Sequence, residues 1–89
     1  MIKIVQGELQ QDKVIRLVFS DGTGGDSALA PLIARGTEMV KPLEDDAFFR
    51  RFFLELGALG WPNGVELSGG GIQQRLREQG RLHAVDQVA

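Results

Sequence analysis

The chain has 89 residues, of which 43% are hydrophobic and 25% charged, a composition that suits one soluble globular domain and excludes a disordered or fibrous protein. The absence of cysteine excludes a disulfide scaffold, a thiolate metal site and a cysteine nucleophile. The formal net charge of −2 argues against a protein that binds nucleic acid through bulk positive charge, so we do not expect nucleic acid as a partner.

The first part of the chain predicts a β-hairpin. Residues 2–9 and 13–19 are rich in β-branched side chains, and Gln10-Gln11-Asp12 between them fits a short connection. Alternation along the second strand places one set of side chains on the expected core face: Ile15, Leu17 and Phe19.

Turn-forming residues dominate the next segment. Residues 20–26 predict a turn that ends the second strand, and residues 28–35 predict a short helix capped by Asp26 or Ser27. The glycine run in this turn follows a strand and precedes a helix, as a phosphate-binding loop does. Ser27 stands where the third glycine of the dinucleotide fingerprint would be, so a plain turn is the preferred interpretation.

The middle of the chain alternates extended and helical patterns. Residues 39–43 predict an extended connection, and residues 45–51 a short helix with two aspartates at its positive N-terminal end. Residues 52–56 predict a strand that returns through residues 59–61, and Pro62-Asn63-Gly64 predicts a turn.

The last part of the chain predicts one helix and a tail. After a short extended piece and the run Ser68-Gly69-Gly70-Gly71, a helix is expected from Ile72 to Gln79. Together the elements predict one α+β domain over residues 1–89, with an antiparallel sheet made of hairpins and two or three short helices. The C-terminal helix and tail occupy residues 72–89.

The sequence indicates no catalytic centre. His83 is the single histidine and has no evident nucleophile or orienting partner, so we expect neither an enzyme, nor a cofactor, nor a metal ion. The longest apolar runs are only a few residues, too short for a membrane span, and the N-terminus becomes polar too soon for a signal peptide. A cytoplasmic location is the expectation.

Two groups of residues are candidates for binding. Four of the five phenylalanines fall within residues 48–53, and a small core has little room for them all. The surplus predicts either core packing alone or core packing with a homo-oligomer interface, for which the candidates are Phe49, Phe53, Leu82 and Val85. The second group is a basic strip that suits a solvated helix face, an acidic partner or RNA: Arg75, Arg77 and Arg81.

Several short motifs follow one another in a fixed order along the chain. An F-x-D-G signature stands at Phe19-Ser20-Asp21-Gly22, an L-x-P-L piece at Leu29-Ala30-Pro31-Leu32 and a G-x-x-x-W-P-x-G-x-x-L block at residues 57–67. Further matches lie between them at Pro42-Leu43 and at Asp46 with Phe48 or Phe49. Over roughly residues 2–76, this set resembles the family called domain of unknown function 2442, a group of small bacterial proteins.

The resemblance implies a compact α+β fold and no known catalytic residue. It also implies a gene neighbourhood like that of a toxin–antitoxin pair, with this family as the antitoxin. The chain departs from the family pattern after Leu67, where Gly69-Gly70-Gly71 replaces an acidic or proline-containing helix start and the later tyrosine is missing. Among the matched residues, Asp21 beside Trp61 is a candidate small site.

Two hypotheses of different classes follow. The first is a non-enzymatic protein-interaction module, antitoxin-like or part of a mobile gene cassette, which forms a homo-oligomer or binds a protein from a neighbouring gene. The alternative is a small-ligand or nucleic-acid binder that uses the Asp21/Trp61 region or the basic strip.

Overall fold

The computed structural model describes residues 1–85 and shows a small α+β domain with two antiparallel sheets. The strands are β1 (Ile4–Leu9), β2 (Val14–Phe19), β3 (Thr23–Ala28), β4 (Phe53–Glu55), β5 (Ala58–Gly60), β6 (Glu66–Leu67) and β7 (His83–Ala84). The helices are α1 (Ala30–Ala34), α2 (Asp46–Phe49) and α3 (Gly69–Glu78), and a 3₁₀ turn covers Lys41–Glu44. One sheet has the order β1-β2-β3-β7 and the other β4-β5-β6. The predicted fold class is confirmed.

The β1–β2 hairpin follows the predicted alternation. Ile15, Leu17 and Phe19 are all buried, so the face of β2 assigned to the core is the one that packs there. Asp12 and Lys13 at the hairpin turn both have positive φ, the pattern of a type I′ turn, whose twist matches that of the strands it joins.

The turn predicted over residues 20–26 is confirmed at residues 20–22, where it ends β2, but the prediction was wrong for the rest, because the chain is a strand from Thr23 onwards. Strand β3 contains Gly24 and Gly25, and α1 follows it without the expected cap, because Leu29 occupies the N-cap position. A Cβ at Gly25 would lie 2.6 Å from the carbonyl oxygen of Arg81, and one at Gly24 would lie 2.5 Å from the carbonyl oxygen of Leu17. The glycines are there because other backbone passes too close for a side chain.

The connection before α2 is helical rather than extended, a second correction. Pro42 lies in the first turn of the 3₁₀ segment, where its fixed φ and missing N–H are tolerated, and Leu43 beside it is fully buried. The aspartates at the start of α2 act as predicted: the Asp45 carboxylate accepts the Phe48 N–H at 3.1 Å.

Helix α3 starts earlier than predicted. The Ser68 hydroxyl accepts the Gly71 N–H at 3.1 Å, so the helix begins at Gly69 and its first turn consists of glycine. The helix ends at Glu78, after which the chain turns at Gly80 into β7. Arg81 therefore lies beyond the helix and does not share a helix face with Arg77.

The core is centred on the indole of Trp61. Its N–H donates to the Phe49 carbonyl at 3.0 Å, and the two rings lie 5.7 Å apart at an interplanar angle of 39°. Both side chains are buried, which satisfies the polar end of the indole inside the core. The remaining buried hydrophobic residues are Ile4, Ile15, Leu17, Phe19, Leu29, Ile33, Val40, Leu43, Leu59, Val65, Ile72 and Leu76.

The start of α3 lies against backbone from two other segments. A Cβ at Gly69 would be 3.0 Å from the carbonyl oxygens of Gly57 and Ile2 and 3.1 Å from the Ile4 nitrogen. Gly70, the next residue in the same helical turn, has open space at its Cβ position. Only the first of these two adjacent glycines is required by close contact.

We expect Gly69→Ala to lower the free energy of unfolding by roughly 1–3 kcal/mol, because the added methyl group meets backbone atoms that cannot turn aside. Gly70→Ala is the matched control, and its stability should rise by up to about 1 kcal/mol because alanine favours the helix. Urea denaturation of both variants measures the difference. Equal effects of the two substitutions would contradict the close contact at Gly69.

Candidate functional site

Apolar side chains are exposed at several positions on the β4–β5 hairpin and on strand β1. Leu56 at the hairpin tip is 90% exposed, and the β4 residues Phe53 and Leu54 are 40% and 36% exposed. Val5 of β1, next to the residue that bonds the hairpin tip, is 57% exposed. We call these four residues the hairpin surface. Phe53 and Leu54 are neighbours along β4, so they project from opposite faces of the hairpin. Exposed apolar side chains on neighbouring elements of a small domain are candidates for contact with a partner.

The backbone of the hairpin tip is fixed to the first sheet. The Ile4 N–H donates to the Gly57 carbonyl at 2.8 Å, and a Cβ at Gly57 would lie 2.5 Å from both Cβ and Cγ of Lys3. The backbone of the tip is therefore held against β1 by this hydrogen bond and by close packing on Lys3. Its exposed side chains project from a fixed backbone.

Leu56 has an unfavourable backbone conformation as well as an exposed side chain. Its φ is +52°, and that of Gly57 is +82°. The two residues form the turn of a two-residue hairpin, where asparagine followed by glycine is the usual choice. A leucine with positive φ costs roughly 1–2 kcal/mol relative to the right-handed region. Folding alone gives no reason for an apolar residue here.

The side chains of the hairpin surface are all apolar and contain no titratable or nucleophilic group. The Phe53 ring lies over its cross-strand partner Gly60, where a Cβ would be 3.2 Å from the ring. Burial of Leu56 against a partner would contribute roughly 1.5–3 kcal/mol, with smaller gains from its half-exposed neighbours. Such a surface can bind another protein but has no groups that could carry a reaction.

The predicted interface residues do not come together. Phe49 is 2% exposed and packs against Trp61, so its assignment to an interface is corrected: it belongs to the core. Phe53 is exposed in β4. Leu82 packs against the core, and Val85 lies beside β3, where its N–H donates to the Gly22 carbonyl at 2.8 Å.

Asp21 and Trp61 have different partners. The Asp21 carboxylate accepts the Thr23 hydroxyl at 2.6 Å, the Thr23 N–H at 3.1 Å and the Gln73 side-chain amide at 2.9 Å. Trp61 is 1% exposed, and its N–H is bonded to Phe49. A shared ligand site at these two residues would need a face of the indole that is covered by the core, so this part of the prediction is not supported by the geometry.

The Asp21 contacts join helix α3 to the turn between β2 and β3. Gln73 is a buried polar residue of α3, and its amide also donates to the Thr23 hydroxyl at 3.0 Å. Hydrogen bonds from Thr23, through the hydroxyl first and the backbone N–H second, lower the pKa of Asp21, and the Gln73 amide lowers it further. The pKa of Asp26 is lowered by Arg16, and that of Asp46 by Lys13.

We expect stability to fall in acid because of these three carboxylates. A carboxyl group whose pKa is lowered by folding stabilises the protein above its unfolded pKa of about 3.9, and the contribution is lost as the pH drops through the folded value. Asp21→Asn should be less stable near neutral pH and should lose less stability below about pH 4 than the wild type does.

Urea midpoints of the wild type and of Asp21→Asn, measured across this pH range, test the expectation. Glu38→Gln removes an exposed carboxylate elsewhere on the surface and serves as the control. Parallel acid profiles for the wild type and Asp21→Asn would contradict the stabilising role of Asp21.

The basic strip is not one surface. Arg75 borders a groove beside α3, the Arg77 side chain donates to Gln74 at 3.3 Å, and Arg81 lies beyond the helix end. His83 is exposed in β7, with its ring Nδ1 3.2 Å from the Ala84 carbonyl. Within residues 1–85 no three acidic or histidine side chains converge as cation ligands, and no helix has the length and apolar character to cross a bilayer.

No protein-family model, curated protein or solved structure matches this chain. The resemblance to the domain of unknown function 2442 family therefore stays a prediction carried by the motifs. Sequence reasoning missed Leu56, although it predicted the strand and turn around it. The available signal was an apolar residue immediately before the glycine of a two-residue turn.

Proposed function

We propose that the protein is a non-enzymatic protein-interaction module that binds through the hairpin surface. The observation that carries the proposal is Leu56, which combines a positive φ with an almost fully exposed apolar side chain. Both features oppose folding and solubility of the isolated chain. Contact with a partner would use the exposed leucine.

The first candidate partner is a second copy of this chain. Two copies related by a two-fold axis would bring the same apolar side chains together from each side, and two-fold dimers are the commonest homo-oligomers. The other form is a different protein encoded nearby, which is the antitoxin-like role implied by the family resemblance or a role in a mobile gene cassette. A location in the cytoplasm accords with either form.

Leu56→Asn separates recognition from folding. Asparagine tolerates positive φ and is preferred before glycine in this turn, so we expect the free energy of unfolding to rise by roughly 1 kcal/mol. The same change removes the apolar contact, which should weaken self-association by about tenfold or more. Light scattering across a concentration series measures association, and urea denaturation measures stability.

Met39→Gln is the control for loss of an exposed apolar side chain away from the hairpin, since Met39 is 52% exposed in another loop. Its association should equal that of the wild type. A wild-type protein that stays monomeric at high concentration would contradict the self-association form. A stabilised Leu56→Asn that binds its partner as tightly as the wild type would contradict the proposal itself.

A further inference from the structure

A second surface, separate from the hairpin surface, lies between β3 and α3. It is a groove of about 230 Å³ that contains the outer end of β3 at Ser27 and Ala28. Its apolar walls come from four residues of α1, β6, α3 and the segment before α1: Leu29, Leu32, Leu67 and Ile72. Sites that enclose a whole drug-sized ligand usually measure about 300–1,000 Å³, so this groove suits individual side chains of a larger partner.

One edge of β3 is open beside this groove. The Leu29 N–H donates to the Lys13 carbonyl at 2.9 Å, which fixes the order of hydrogen-bonded pairs between β2 and β3. By the alternation of an antiparallel ladder, the N–H and C=O groups of Ser27 point towards β2, and those of Asp26 and Ala28 point to the outer edge. Among residues 1–85 no backbone hydrogen bond to Asp26 or Ala28 is found at that edge.

The same edge already accepts a strand farther along. Strand β7 pairs with Thr23 and Gly24, and the Val85 N–H continues this ladder to the Gly22 carbonyl. The segment from Arg81 to Val85, which contains β7, runs along β3 from Gly25 towards Gly22 and so leads away from Asp26 and Ala28. The open part thus continues the edge of β3 that pairs with a short extended segment at Thr23 and Gly24.

Polar side chains beside the open edge would orient a bound peptide. Ser27 is 6% exposed and lines the groove with a hydroxyl-bearing side chain. Arg75 lines the groove from α3, and Glu66 lines it from β6. A bound chain would find a donor and acceptor at Ser27, a positive group on the helix side and a negative group on the opposite strand.

We infer that this groove binds an extended peptide segment of a partner protein, which adds a strand to β3 at Asp26 and Ala28. An apolar side chain of the peptide enters between the leucines and Ile72, and an acidic side chain meets Arg75. Main-chain pairing supplies affinity in this mode of recognition, and the pocket for alternate side chains supplies specificity. The Glu66 carboxylate disfavours a second acidic residue on its side of the groove.

A random library of linear peptides of about eight residues, displayed on phage and selected against the full chain, tests the inference. We expect enrichment of peptides that combine an apolar residue with aspartate or glutamate. A synthetic copy of the most enriched peptide, titrated into isotope-labelled protein, should shift and protect the amide resonances of Asp26 and Ala28. Failure to enrich any such pattern, or shifts confined to the hairpin surface, would overturn the inference.

Four variants locate the contact. Ala28→Pro removes the outward N–H, and edge positions tolerate proline, so peptide affinity should fall by about tenfold or more while Ala28→Val retains it. Arg75→Glu should reverse the selected charge from acidic to basic. If Ala28→Pro does not fold, the charge reversal and the amide shifts decide the question. Leu56→Asn should bind the peptide as the wild type does, which distinguishes this site from the hairpin surface.

Discussion

The close approach of backbone at Gly69 is the constraint on which the arrangement of the two sheets depends. Here the first residue of α3 meets the carbonyl groups of Ile2 and Gly57, so the N-terminal segment, the second hairpin and the helix converge within van der Waals distance. The helix then extends over β3, where Leu76 contacts the side-chain-free surface at Gly25. One helix thereby relates both sheets, and its position is set at its first turn.

The hydrogen bonds at Gln73 give this helix its rotation. Its amide donates to both Asp21 and Thr23 and so fixes which face of α3 lies on the turn between β2 and β3. With that face determined, Ile72 and Leu76 point into the core, while Arg75 borders the groove. The exposed and buried sides of α3 follow from a polar contact as much as from the apolar spacing of the helix.

Local patterns in the sequence predicted those elements whose reasons are local. Alternation identified the buried face of β2, and the two aspartates identified the N-terminal end of α2. The sequence could not show that Gly24 and Gly25 form a strand, because the backbone that excludes their side chains comes from distant residues such as Arg81. The early start of α3 was hidden in the same way, since three glycines have little helix propensity and the contact that selects the first lies elsewhere in the fold.

The candidate surfaces were harder to predict for a related reason. A cluster of phenylalanines indicates surplus apolar area, but the fold decides which rings it covers. The fold buries Phe49 against Trp61 and leaves Phe53 exposed. The sequence shows Leu56 only as an apolar residue before a glycine, and its positive φ results from closing β4 onto β5 with a two-residue turn. The groove combines residues from several elements, so no spacing in the chain could reveal it.

The order of the elements along the chain has a consequence for biosynthesis. The core faces of β2 and β3 leave the ribosome early, but the helix that covers them follows much later, since Gln73 lies 52 residues after its partner Asp21. During that interval Ile15, Leu17 and Phe19 have no helix to cover them. Contacts between such distant residues slow folding and leave apolar strands open to other chains. The buried face of β2 therefore stays uncovered by α3 until most of the chain has been made.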